Sequence, residues 1–197
     1  MQSFKIFTVF LSILFLSACA NKVQYGDAES IETINSEFGS TDLQQIAEKM
    51  VDSLLTSPSV IKLSVTSTPI LFVEKIKNKT EEHIDSESVT DSIVNKLLRS
   101  GKFKFVDMNS VDKVKSQMGF QKNSGLVDQT TAVVIGKQVG AEYMLYGNLS
   151  SIVKKNKRNK DVYYKFTLKM VGLETGLLVW QDEKEIRKTV KRSLLGL

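Results

Sequence analysis

One histidine, one cysteine and a lysine-rich run are the reactive features of this 197-residue chain. His83 stands among Glu81, Glu82, Asp85 and Glu87. Such a mixture suits an acid–base pair or a cation site. A metal site, however, needs its ligands at fixed spacings on one face. These side chains fall in a charged stretch without periodicity, so a solvated acidic loop is expected. No second histidine completes a triad, and Cys19 is the sole thiol. Neither G-x-x-x-x-G-K nor G-x-G-x-x-G occurs. Catalysis is therefore not expected, and no cofactor or metal is called for. The basic run is more informative. Lys154, Lys155, Lys157, Arg158 and Lys160 follow one another without an intervening acid. Lys188, Lys191 and Arg192 form a second basic group near the C-terminal end of the sequence. Gathered like charges destabilise a fold unless they are solvated or meet an anionic partner. The eight residues are a candidate docking patch for an acidic protein surface or for anionic lipid headgroups.

For the two groups to act together, the chain must fold back. Val162, Tyr164, Phe166, Leu168 and Met170 alternate with Tyr163, Lys165, Thr167 and Lys169, the period of a half-buried strand. Glu174-Thr175-Gly176 reads as a tight turn with glycine at the left-handed position. If Leu173 pairs with Leu177, counting outward sets Lys160 opposite Val190. Lys188, Lys191 and Arg192 then lie beside the hairpin that carries the first group. Glu142–Val153 reads as the preceding strand, so the last fifty residues form a three-stranded meander.

Upstream, the period changes. Leu43, Ile46, Ala47, Met50, Val51, Leu54 and Leu55 recur at helical spacing, with Thr41 as cap, Gln44 at the capping-box position and Pro58 as terminator. Pro69–Val73 reads as a buried strand. A helix over Ser88–Ser100 buries Val89, Ile93, Leu97 and Leu98 and ends at Gly101. Phe103–Val106 is a second strand, and helices are expected over 109–120 and 128–140. Residues 77–88 read as loop, and Trp180 and Tyr146 as core. The fold class is α+β: one mixed or largely antiparallel sheet of about five strands ending in a meander, with about four helices packed on it.

The start of the chain addresses location. A lone Lys5 precedes an apolar run over Ile6–Leu16 that is too short to span a bilayer. Leu16-Ser17-Ala18-Cys19 follows and resembles the lipobox of bacterial lipoproteins. The resemblance implies cleavage before Cys19 and acylation of its thiol and new amino terminus. Expected organisation is a leader over 1–18, a lipidated cysteine and flexible tether over 19–39, and one globular domain over 40–197. The chain holds 27 Lys+Arg against 22 Asp+Glu, and loss of Lys5 with the leader leaves 26 against 22. That mild excess, with only Arg99, Arg158, Arg187 and Arg192 as bidentate donors, gives no case for nucleic acid.

Four segments then carry a larger resemblance. They are Ser40-Thr41-Asp42-Leu43-Gln44, Arg99–Asp107, Gly140–Gly147 and Glu174–Trp180. With the lipobox, this ordered set resembles the LpoB family of outer-membrane lipoproteins, with more distant likeness to CsgG-like and TolB N-terminal domains. The resemblance implies a monomeric, non-catalytic protein lipid-anchored at the periplasmic face of the outer membrane. Its implied partner is a bifunctional penicillin-binding protein, which it activates allosterically. The CsgG and TolB kinship implies an alternative role in envelope structure or secretion assembly. One departure stands out. Well-known members carry a long proline-rich tether, whereas residues 20–39 are few and proline-free.

Overall fold

The computed structural model describes residues 24–32, 34–106 and 140–191. Cys19, Arg192 and the helices expected over 109–120 and 128–140 lie outside the described residues. The elements run α1 (Ser40–Thr56), α2 (Pro58–Thr66), β1 (Ile70–Val73), β2 (Lys77–Asn78), α3 (Ser86–Arg99), β3 (Lys104–Phe105), β4 (Tyr143–Lys155), β5 (Asn159–Gly172) and β6 (Leu178–Lys191). One six-stranded sheet has the order β3-β1-β4-β5-β6, with β2 beside β4. β1 runs parallel to β3 and β4, and β4–β5–β6 is an antiparallel meander. The architecture is thus α+β around a mixed sheet.

Side-chain period decides which face is covered. Even-numbered residues of β5, from Val162 to Met170, are buried, and odd-numbered ones from Asp161 to Lys169 are not. Ile46, Met50 and Leu54 of α1, Val60 of α2, and Val89, Ile93 and Leu97 of α3 share a core with that even face. The three helices therefore cover one side of the meander. Gly147 lies on this side for a steric reason. A Cβ there would stand 2.4 Å from the Thr167 carbonyl oxygen of the neighbouring strand. Phe72, Ala141, Met144, Val171 and Leu173 form a second apolar cluster with Tyr146 packed on it.

Several local expectations are corrected. α1 begins at Ser40 with Gly39 as its cap residue. Asp42, three positions on, accepts the Gly39 N–H at 2.9 Å, and its charge suits a helix N-terminus. Thr41 instead accepts the Glu32 N–H. Pro58 ends α1 and also opens α2, because its fixed φ and missing N–H suit a first helical turn. α3 starts two residues early, capped by Asp85, whose carboxylate accepts from Glu87 and Ser88 N–H. Leu98 faces solvent, since Leu97 already occupies the buried stripe. Lys77–Asn78, expected in a loop, pairs with Asn148–Leu149 of β4.

The compact domain also starts before Ser40. Ile31 is its first residue. Ser36 is buried, and the Phe38 ring packs edge-on against Tyr164 with centroids 5.7 Å apart. Residues 27–30 make a turn of their own, closed by Ser30 N–H on the Asp27 carbonyl.

Candidate functional site

The far end of the meander gathers the basic residues. β4 and β5 are joined at Asn156–Arg158. Asn156 Oδ1 accepts Arg158 and Asn159 N–H at 2.9 and 2.8 Å, and the Asn156 N–H donates to the Asn159 carbonyl. Lys160 stands opposite Val190 and Asn159 opposite Lys191, so the two basic segments share one sheet end. Near the Gly176 turn the pairing differs from the simple count. An irregularity between Met170 and Val171 sets Val171 opposite Leu178, and the Gly172 N–H donates to the Leu177 carbonyl. The extra residue, Val179, shifts the pairing by one, and this shift brings the far end into the expected register with Lys160 opposite Val190. Gly176 has φ +70°, the left-handed conformation its place in the turn requires.

This end has two chemically distinct faces. On the face away from the helices, Ile152, Tyr163 and Arg187 form one cross-strand row. The Arg187 guanidinium carbon lies 5.6 Å from the centre of the Tyr163 ring. Its Nε is 4.0 Å from an Asp161 carboxylate oxygen, which leaves that carboxylate free to accept Thr189 Oγ1–H at 3.0 Å. Hydrogen bonding to Glu185, with burial second, raises the Tyr163 phenol above its ordinary pKa. Lys165 bridges Glu183 and Glu185 one row away. Ile152 is 59 % exposed beside this stacked pair. Ile152, Lys154, Asp161, Tyr163 and Arg187 line a shallow depression of 170 Å³. Ile152, Tyr163 and Arg187 were not singled out from sequence, although the alternation of β5 already sets Tyr163 on the solvent side.

On the helix-side face, Lys155 lies directly opposite Lys160, and Lys160 opposite Val190. Lys154, Lys155, Lys157, Arg158, Lys160 and Lys191 make no ion pair among the described residues. Lys188 is a correction to the expected patch. Its ammonium donates to Asp42 Oδ2 and to the Glu37 carbonyl, each at 2.6 Å. The side chain is only 18 % exposed, against 3 % for Asp42. Lys188 is a structural cation, because its position on β6 turns it toward the start of α1.

Lys188 is one part of a polar staple that fastens residues 34–39 to the sheet. The Tyr164 hydroxyl donates to Glu82 Oε1 at 2.6 Å and also lies 3.2 Å from the Ser36 carbonyl. Glu82 Oε2 accepts the Phe38 N–H at 2.9 Å. Burial first, then the Glu82 hydrogen bond and charge, hold the Tyr164 phenol far above its ordinary pKa. Glu82 is therefore no solvated loop carboxylate, whereas Glu81, His83 and Asp85 are exposed as expected. Among the described residues, no group of three or more potential metal ligands converges.

The family model described as "Peptidoglycan-synthase activator LpoB" matches residues 42–186, from the first turn of α1 to the middle of β6. The chain belongs to the LpoB family. The penicillin-binding protein activator LpoB of Salmonella typhimurium is 25 % identical over 124 residues, which are 63 % of this chain and 55 % of that protein. Its counterpart from Escherichia coli K12 is 26 % identical over 119 residues, 60 % of this chain and 52 % of that one. The chain thus spans about half the length of these LpoB relatives. The LpoB C-terminal domain from Salmonella enterica superimposes with a TM-score of 0.56 at 22 % identity, covering 75 % of this chain and 99 % of the domain. The domain from Escherichia coli gives 0.57 at 23 %, covering 74 % and 98 %. Those two likenesses establish the LpoB fold.

Proposed function

We propose that this chain is a lipoprotein regulator of peptidoglycan synthesis that binds a bifunctional penicillin-binding protein and allosterically favours its active state. The observation that carries the reading is the LpoB family match, which extends over the helices and nearly all of the meander. Activation of this kind is a difference in affinity. The domain must bind the active synthase more tightly than the resting one. No catalytic step by the chain itself is invoked. The contact proposed for the synthase is the Ile152–Tyr163–Arg187 row. Tyr and Arg dominate binding hot spots, and an exposed aliphatic neighbour supplies apolar area around them.

Anchoring through acylated Cys19 at the periplasmic face of the outer membrane completes the proposal. Cleavage before Cys19 leaves residues 19–30 ahead of the compact domain. Twelve residues reach roughly 40 Å when fully extended, and about 20 Å as a flexible coil. The synthase must therefore present its docking module no farther from the lipid than that distance plus the span of the domain itself. A pull-down of a purified synthase, followed by glycan-chain polymerisation on lipid II, tests the reading. Retention and a faster rate are expected. Neither retention nor any rate change would reject it. A ring-shaped assembly by mass measurement would instead favour a role in envelope structure or secretion assembly.

A further inference from the structure

The helix-side face of the hairpin end has features that the synthase contact leaves unused. We infer that it is a docking surface for anionic phospholipid headgroups, which lays the domain against the membrane it is tethered to. The first observation is an uncompensated like-charge pair. Lys155 and Lys160 are direct cross-strand neighbours, an arrangement that destabilises a sheet. No carboxylate among the described residues pairs with either. Asp161, the acid of this hairpin, points to the opposite face, where Arg187 and Thr189 engage it. Lys157, Arg158 and Lys191 add charge at the same end.

The second observation is apolar. Val153 and Val190 lie on the same face as Lys155 and Lys160, and are 39 % and 37 % exposed. Basic side chains around exposed aliphatic groups suit the boundary between headgroups and acyl chains. A membrane boundary supplies both partners at once, anionic headgroups for the lysines and acyl chains for the two valines.

The third observation is where the chain enters. The Glu37 carbonyl is held by Lys188, and Lys188 stands one row from the Lys160–Val190 pair on the same face. The stretch that follows Ile31, the first residue of the compact domain, is therefore fastened one row from the basic pair. Residues 31–39 carry Ile31 and Ile34, which are 78 % and 86 % exposed, and one exposed acid, Glu37. This geometry of approach rests on the anchored reading proposed above; the charge and apolar content of the face do not.

The test uses residues 31–197, because the relatives' C-terminal domains have been solved as separate structures with this fold. Vesicles of phosphatidylethanolamine with and without phosphatidylglycerol are floated with the domain at low and high salt. Binding is expected only with phosphatidylglycerol, and it should weaken as salt rises. The variant Lys155→Glu/Lys160→Glu keeps two like charges opposite each other, so its fold is perturbed little while the sign inverts. Each lysine is expected to contribute roughly fivefold in affinity, so the double variant should bind at least about 25-fold more weakly. Lys155→Gln, expected to lose about fivefold, is the milder check, and circular dichroism verifies folding of both. Binding equal on zwitterionic vesicles, or unchanged in the double variant, would overturn the inference. So would absent vesicle binding with loss of synthase stimulation in detergent, which would assign this face to a protein. Stimulation in detergent is expected to survive the double variant, which separates failure here from failure of the synthase reading.

Discussion

Truncation of the Glu82 side chain probes how the strap at residues 34–39 is held. Glu82 closes two contacts at once, accepting from Tyr164 through one oxygen and from the Phe38 N–H through the other. Glu82→Ala removes both acceptors. The Tyr164 hydroxyl keeps the Ser36 carbonyl as an alternative partner, but the Phe38 N–H loses its acceptor. One charge-assisted bond contributes about 1.5–3 kcal/mol, so a loss of roughly 3 kcal/mol is expected. Glu82→Gln should be far milder. The amide oxygen can serve the Phe38 N–H while the amide nitrogen donates to the Tyr164 oxygen, whose own hydrogen turns to Ser36. Only the charge assistance goes, about 1 kcal/mol. Tyr164→Phe leaves the Ser36 carbonyl and one Glu82 oxygen without their donor, and about 2 kcal/mol is expected. Urea unfolding reads each value through the sole tryptophan, Trp180, which is buried. A cycle of Glu82→Ala and Tyr164→Phe should show coupling of about 1 kcal/mol or more. Limited proteolysis should cut within 31–39 in Glu82→Ala while the meander persists. Strictly additive losses below about 0.5 kcal/mol each would refute the staple.

Four other outcomes follow from single contacts. Lys188→Met strands the buried Asp42 carboxylate, and about 3 kcal/mol should be lost in the same unfolding assay. Gly147→Ala drives a Cβ into the Thr167 carbonyl, so a loss of at least about 2 kcal/mol, or failure to fold, is expected on thermal melting. Tyr164 has a raised folded pKa against an ordinary 10.0, so its stabilisation is complete below pH 10 and declines as pH rises above it; Tyr164→Phe should flatten that alkaline slope. Burial acts to raise Asp182, but bonds from Ser53 and Lys49 outweigh it and hold the carboxyl below its ordinary 3.8. Its contribution is thus present above that pH and lost as pH falls through the lowered value, and Lys49→Met should weaken the acid-side slope.

The meander was the legible part of the sequence. Alternation over 162–170 reports a strand buried on one face, and counting from the Gly176 turn gives the Lys160–Val190 pairing, although the bulge at Val179, which the count did not include, is what sets it. Helical cores were equally plain, because α1 and α3 each bury one apolar stripe. What escaped was set by tertiary neighbours. Glu82 reads as one more acid in a polar loop, since the hydroxyl that engages it belongs to Tyr164 on β5. Lys188 counts as a basic residue until its position on β6 aims it at Asp42 of α1. The cap of α1 was misplaced because Gly39 offers no capping side chain and Asp42 acts back on it from inside the helix. Tyr163 and Arg187 are individually ordinary surface residues, and only strand pairing brings them into one row.

The proposed role of this LpoB-family chain is to bind and activate a bifunctional synthase. Polymerisation of lipid II by the purified synthase, with wild-type chain and with Tyr163→Ala/Arg187→Ala, tests it most directly. Faster polymerisation is expected with the wild type. The folded double variant should need at least tenfold more protein for the same effect, as loss of about 1.4 kcal/mol or more at a hot spot implies. An unchanged polymerisation rate at saturating wild-type protein, with no synthase retained in a pull-down, would contradict it.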